Sequence, residues 1–227
     1  MELQTLRPLN LNRIMPAQEA RSFNVLPRIH VITDPPHTPV GVIDEIVGVG
    51  VDAIQIRAKD LNDRELFDFT VDVLGVVRGR ATVIVNDRLD IALAAGADGV
   101  HLGMDNLPIA EARRLAPKGF LIGGTCRSVA QARSACDTGA DYVGVGPIFA
   151  STTKVDLPAP LGLEVLTEIA RILPAIAISG ITVQRIPSVM ATGAYGVAVI
   201  AAVSRDPDPP HAARRVVDAV LAPIPVR

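Results

Sequence analysis

Tryptophan is absent from this 227-residue chain, and aromatic residues make up only 3% of it. Stacking platforms for single-stranded nucleic acid are therefore poorly supplied. An excess of either charge is lacking too. Lys and Arg number 22 against 24 Asp and Glu, a net −2, so no overall basic field draws a nucleic acid. The only cysteines are Cys126 and Cys136. They are not spaced as metal ligands and make no disulfide framework, which suits thiols in a reducing cytoplasm. No apolar run has the length of a bilayer span, and neither a membrane nor a nucleic acid is expected as a partner. Residues 1–27 mix Arg, Asn, Glu and Pro without the apolar stretch of a secretory leader. They read as a short N-terminal extension ahead of one domain spanning 28–227.

What is abundant is apolar: 49% of residues, against 20% charged, enough for a large core. Short β-branched runs recur at Ile29–Thr33, Asp52–Ile56, Thr82–Asn86, Gly99–Leu102, Leu121–Gly123, Tyr142–Val145, Ala175–Ser179 and Val197–Ile200. Most are apolar at successive positions, as in strands of a parallel sheet buried on both faces. Helical spacing appears between them at Leu61–Arg78, Asp90–Ala95, Leu107–Leu115, Ser128–Thr138, Leu161–Leu173, Thr182–Thr192 and Pro209–Leu221. Ser128 and Thr182 are candidate N-caps. Gly96, Gly139 and Gly193 stand where a left-handed residue ends a helix. Repeated β-then-α units predict a single-domain parallel (β/α)8 TIM barrel, with an open doubly wound sheet as the alternative. The related segments starting at residues 95, 138 and 192 (AGADGV, TGADYV, TGAYGV) read as scaffold at the N-terminal rim.

In such a barrel the chemistry collects at the C-terminal ends of the strands. After the second strand, alternation puts Gln55, Arg57 and Lys59 on one side, where two cations and an amide can grip a diphosphate. Asn86 and Asp87 end the third strand. They are either a helix start or a ligand pair in which Asp87 holds Mg²⁺. Asp105 and Asn106 follow the fourth strand, and His101 within it reads as a core histidine before a general base. The sixth strand leads to Ser151, Thr153 and Lys154 in a loop containing prolines. Ser179-Gly180-Ile181 and Ile200-Ala201-Ala202 end the last two strands with small residues whose backbone N–H groups can receive a phosphate.

Taken in order, Gln55-x-Arg57-x-Lys59, Asn86-Asp87-Arg88, Ala97-Asp98-Gly99-Val100-His101-Leu102-Gly103, Gly139-Ala140-Asp141-Tyr142-Val143-Gly144-Val145-Gly146-Pro147-Ile148-Phe149 and Ser179-Gly180-Ile181 resemble the thiamine-phosphate synthase family over about residues 28–205. The resemblance implies a transferase that condenses hydroxymethylpyrimidine diphosphate with thiazole phosphate, releasing diphosphate. By the same resemblance Arg57, Lys59, Asn86 and Lys154 hold the diphosphate, and Gln55 and Thr125 the pyrimidine. Ser151, Thr153, Gly180, Ile200 and Ala201 receive the thiazole phosphate. Asp87 with Asn106, or with Asp105, holds Mg²⁺. The chain departs from the family at Asn106, where a carboxylate is usual, at Ser179, where glycine is usual, and in Thr125-Cys126-Arg127, where Ser-Thr-His is usual. Two other readings stay open: a related thiazole tautomerase, which uses a His at the place of Arg127, and a non-catalytic phosphate-ligand-binding barrel. Partners are expected to be small phosphorylated molecules in the cytoplasm, and a homo-oligomer is left open.

Overall fold

The computed structural model describes residues 25–33, 35, 37–150 and 157–223. Eight strands alternate with helices. The first half comprises β1 (Ile29–Ile32), α1 (Val40–Gly48), β2 (Ala53–Ile56), α2 (Asp63–Val77), β3 (Thr82–Asn86), α3 (Leu89–Ala95), β4 (Gly99–Leu102) and α4 (Ile109–Leu115). The second comprises β5 (Leu121–Cys126), α5 (Val129–Asp137), β6 (Tyr142–Val145), α6 (Gly162–Ala170), β7 (Ala175–Ile178), α7 (Ile186–Met190), β8 (Gly196–Val199), α8 (Ala201–Ser204) and α9 (Pro209–Leu221). All neighbours pair parallel, and β8 pairs back onto β1, which closes the barrel. The open-sheet alternative is excluded by that pairing.

The runs of successive apolar residues serve two cores at once. One side of the strands, including Val31, Ile54, Val83, Val85, Ile122, Val143 and Val197, packs under the helices. The other, Ile32, Ala53, Ile84, Tyr142, Ile176 and Ala198, fills the barrel interior. Tyr142 fits there because β5 carries glycine beside it: a Cβ on Gly123 would stand 2.2 Å from Tyr142 Cζ. Beneath this layer the chain before β1 closes the N-terminal mouth. Leu26 packs on the interior cluster, and its carbonyl accepts a 2.7 Å hydrogen bond from the Tyr195 hydroxyl.

At that same mouth three aspartates receive backbone N–H groups that the sheet leaves unpaired. Asp52 accepts from Arg28 and Ile29 at 2.9 and 2.7 Å, Asp98 from Val83 at 2.8 Å and Asp141 from Ile122 at 2.7 Å. The Gly-Ala-Asp segments thus belong to the scaffold. Gly96, Gly139 and Gly193 all take positive φ, and Ser128 caps α5 by accepting from the Gln131 N–H.

Several local expectations are corrected. The helix expected over Thr182–Thr192 is only Ile186–Met190. Thr182 does not cap it through its side chain; its carbonyl accepts from the Arg185 and Ile186 N–H groups in a preceding turn. Pro187, which has no N–H, is tolerated only in the first helical turn and sets that late start. β5 runs on to Cys126 beyond its apolar stretch. The helices α1 and α8 form outside the segments for which the sequence predicts a helix. The sequence Val40-Gly41-Val42 is a poor helix former, and four residues are too few to display a period. Most of the N-terminal extension, and Ser151, Thr153 and Lys154, lie outside the described residues.

Candidate active site

The strand ends open into a cavity of about 820 Å³ at the C-terminal face. Gln55, Arg57, Lys59, Asn86, Asp87, Thr125, Gly180, Ile200 and Ala201 all line it. Strand alternation sends Gln55, Asn86 and Thr125 inward, and the others lie just beyond the ends of their strands. Gln55 is buried, and its Nε2 donates to Asn86 Oδ1, locking the ends of β2 and β3 together. The backbone of Arg57 is fixed by Thr33, whose Oγ1 accepts from the Arg57 N–H at 2.9 Å and donates to the Arg57 carbonyl at 3.1 Å. Arg57 therefore leaves β2 in a set direction toward the opening.

Asp87 has φ 66°, and its N–H donates to the His101 carbonyl at 2.8 Å. This left-handed turn separates the fates of two neighbours. Asp87 enters the cavity wall. Arg88 leaves it, bound by Asp63 and Asp90. Hydrogen bonds from Arg88 hold both carboxyls below the usual carboxylate range.

Beyond β4 the backbone turns over Gly103. Asn106 Oδ1 accepts from the Gly103 N–H. A Cβ on Gly103 would stand 3.0 Å from Asn106 Oδ1 and 3.8 Å from Asp87 Oδ1, so both oxygens lie close to this turn. Neither Asp105, which is exposed, nor Asn106, which is half-buried, lines the cavity itself. Among the described residues no cluster of three or more His, Cys, Asp or Glu side chains could hold a metal. One carboxylate and one amide oxygen fit only a hard cation that takes its remaining ligands from substrate and water.

His101 lies deeper. Its ring nitrogens are 3.2 Å from Thr125 Oγ1 and 3.2 Å from the Tyr142 hydroxyl. Burial, with a smaller contribution from His30, pushes its pKa down to about 4. Burial also raises the Tyr142 hydroxyl. Both groups are thus neutral near pH 7, and His101 orients the Thr125 hydroxyl without carrying a charge.

On the far side, β7 ends in two left-handed residues, Ser179 (φ 76°) and Gly180 (φ 66°). Only glycine fits the second place, because a Cβ would come within 2.7 Å of the Ala150 carbonyl oxygen and of Phe149 Cβ. The Ser179 hydroxyl is buried without a partner. Arg127 spans the cavity wall, donating from Nη1 to the Gly146 carbonyl at 2.9 Å and from Nη2 to the Ala159 carbonyl at 3.1 Å. Arg185 lines the wall near Gly180. The described lining thus holds four cations, Arg57, Lys59, Arg127 and Arg185, against the single carboxylate of Asp87. That balance suits anionic ligands, although the whole chain is slightly acidic. Arg185 and the orphaned Ser179 hydroxyl escaped the sequence reading. The Ser179-Gly180-Ile181 turn itself is readable in the sequence, but neither the burial of the Ser179 hydroxyl nor the approach of Arg185 is.

A family model described as thiamine monophosphate synthase matches residues 29–203. The chain belongs to the thiamine monophosphate synthase family. It is 48% identical over 179 residues to the thiamine-phosphate synthase of Anaeromyxobacter dehalogenans, covering 78% of this chain and 81% of that one. Against the thiamine-phosphate synthase of Methanoculleus marisnigri it is 49% identical over 176 residues, or 76% and 83% of the two chains. The solved thiamine phosphate pyrophosphorylase of Pyrococcus furiosus superposes with a TM-score of 0.77 at 36% identity, covering 85% of this chain and 95% of that one. Family membership makes this chain a transferase with the barrel fold.

Proposed function

We propose that this chain is a thiamine-phosphate synthase, joining hydroxymethylpyrimidine diphosphate to thiazole phosphate with release of diphosphate. The observation that carries this reading is the cationic strand-end cavity with Arg57 and Lys59 at one wall and the Ser179–Gly180 turn at another. The two walls suit a diphosphate and a phosphate monoester. Arg57 and Lys59 bind the diphosphate with Asn86, the first as a planar fork and the second as a point charge. Gln55 and Thr125 set the pyrimidine, each held by its own partner, Asn86 and His101. The backbone at Gly180, Ile200 and Ala201 receives the thiazole phosphate. The family resemblance adds Ser151 and Thr153 at that phosphate and Lys154 at the diphosphate.

In the reaction the C–O bond between the pyrimidine methylene and diphosphate breaks, its electron pair leaving on the oxygen. The thiazole nitrogen supplies the pair for the new C–N bond. No proton has to move, which agrees with a site whose buried histidine is too weak a base to take one. The demand is instead for positive charge at the departing oxygens and for alignment of nitrogen with carbon. Asp87 and Asn106 are the residues that would hold Mg²⁺, which would neutralise charge on the diphosphate. The tautomerase reading loses support at Arg127, whose guanidinium is engaged by two carbonyls and cannot serve as a proton relay.

The test is product stoichiometry. Purified protein given both substrates forms one thiamine phosphate per diphosphate released, and Arg57→Ala lowers kcat by about 100-fold. Diphosphate release without thiamine phosphate, or an Arg57→Ala variant as fast as the parent, would refute the assignment.

A further inference from the structure

Two cations of the cavity bind no ligand in that reading, and one of them, Arg127, is engaged by two backbone carbonyls. Arg185 stands immediately before α7, with its guanidinium carbon 4.6 Å from the centroid of the Phe149 ring. Its Nη1 donates to the Gly180 carbonyl at 2.7 Å. Stacking and the hydrogen bond together hold a flat, permanently charged group beside the left-handed turn. The remaining N–H groups of this guanidinium donate to nothing among the described residues. In the same turn the buried Ser179 hydroxyl also lacks a partner, a state that native structures seldom leave uncompleted. Arg185, which is solvent-exposed, and Ser179 thus both line the β7–β8 lobe of the cavity together with Gly180, Ile200 and Ala201.

We propose that Arg185 is a specificity-determining residue that binds the phosphate monoester of the thiazole substrate. The proposal rests on the synthase reading for the identity of that substrate. Backbone N–H groups alone bind a phosphate through partial charges. An arginine fork adds a full charge and paired donors matched to phosphate oxygens. It thereby discriminates a dianionic phosphate ester from the corresponding alcohol. The competing account is a brace, in which Arg185 only holds the Gly180 carbonyl. A brace acts on every ligand of the lobe alike, whereas a phosphate ligand acts on the phosphate.

The experiment compares the parent with Arg185→Gln and Arg185→Lys. Glutamine keeps an N–H donor but carries no charge. Expected for Arg185→Gln is a rise of about 10-fold or more in KM for thiazole phosphate. The Ki of inorganic phosphate as a competitor of that substrate rises by a similar factor. Values of kcat and of KM for the pyrimidine diphosphate stay within about twofold of the parent, and Arg185→Lys recovers part of the loss. An unchanged KM and Ki, or a parallel rise in KM for both substrates, would overturn the proposal in favour of the brace. Should the parent make no thiamine phosphate, the synthase reading fails by itself. Calorimetric binding of inorganic phosphate then decides on Arg185: weaker binding in Arg185→Gln supports it, and equal binding overturns it.

Discussion

At the scale of single residues, His101 illustrates how burial sets chemistry. Its folded pKa of about 4 lies below the ordinary histidine value of 6.5. Between those values the unfolded chain binds a proton that the folded one refuses. Stability is therefore intact above about pH 6.5 and is lost as pH falls toward 4. For His101 alone the loss between pH 7 and pH 5 is roughly 2 kcal/mol. His30, buried and also shifted downward mainly by desolvation, acts in the same direction. Urea unfolding of the parent and of His101→Gln at pH 7 and pH 5 tests this. The parent is expected to lose markedly more stability on acidification than the variant, and equal losses would contradict the burial argument. The same residue marks what a sequence can show of a site. Gln55, Arg57 and Lys59 were legible because strand alternation and the strand end fix their side. Arg185 was not, because an isolated arginine after a turn looks like any of the chain's 22 cations, and only the fold brings it beside Gly180.

Among elements, strand order and helix order followed from hydrophobic runs and punctuating glycines, and the errors fell where those signals are short: α1, α7 and α8. Tertiary packing decides such pieces. Two features of the barrel make quantitative claims at this scale. Gly123→Ala forces a methyl group to 2.2 Å from the Tyr142 ring, where glycines of β5 otherwise admit it. We expect a loss of about 3 kcal/mol in denaturant unfolding from this overpacking, and a neutral substitution would show that the interior is looser than described. Asp141→Ala removes the acceptor of the Ile122 N–H and of Arg113. Because the Arg113–Asp141 pair is about one-third exposed, the ion pair itself contributes little. The backbone bond accounts for most of an expected loss of about 1–2 kcal/mol. Asp141→Asn, which keeps an acceptor, is expected to lose less.

For the whole molecule, the eight parallel strands gather residues from positions 55 to 201 around one opening, and no local stretch of sequence contains that site. The barrel was legible because each β-then-α unit repeats the same burial demand, whereas the cavity's charge balance was not, since it depends on which cations the closure turns inward. Among the described residues no helix is long and apolar enough to cross a membrane. The most direct measurement is the rate of thiamine phosphate formation by the purified protein across a Mg²⁺ titration, with Asn106→Asp beside the parent. The account predicts product only when both substrates and Mg²⁺ are present. It also predicts half-saturation at about 10-fold lower Mg²⁺ in Asn106→Asp, where a carboxylate joins Asp87. Absence of product at every Mg²⁺ concentration, or turnover unaffected by a chelator, would contradict it.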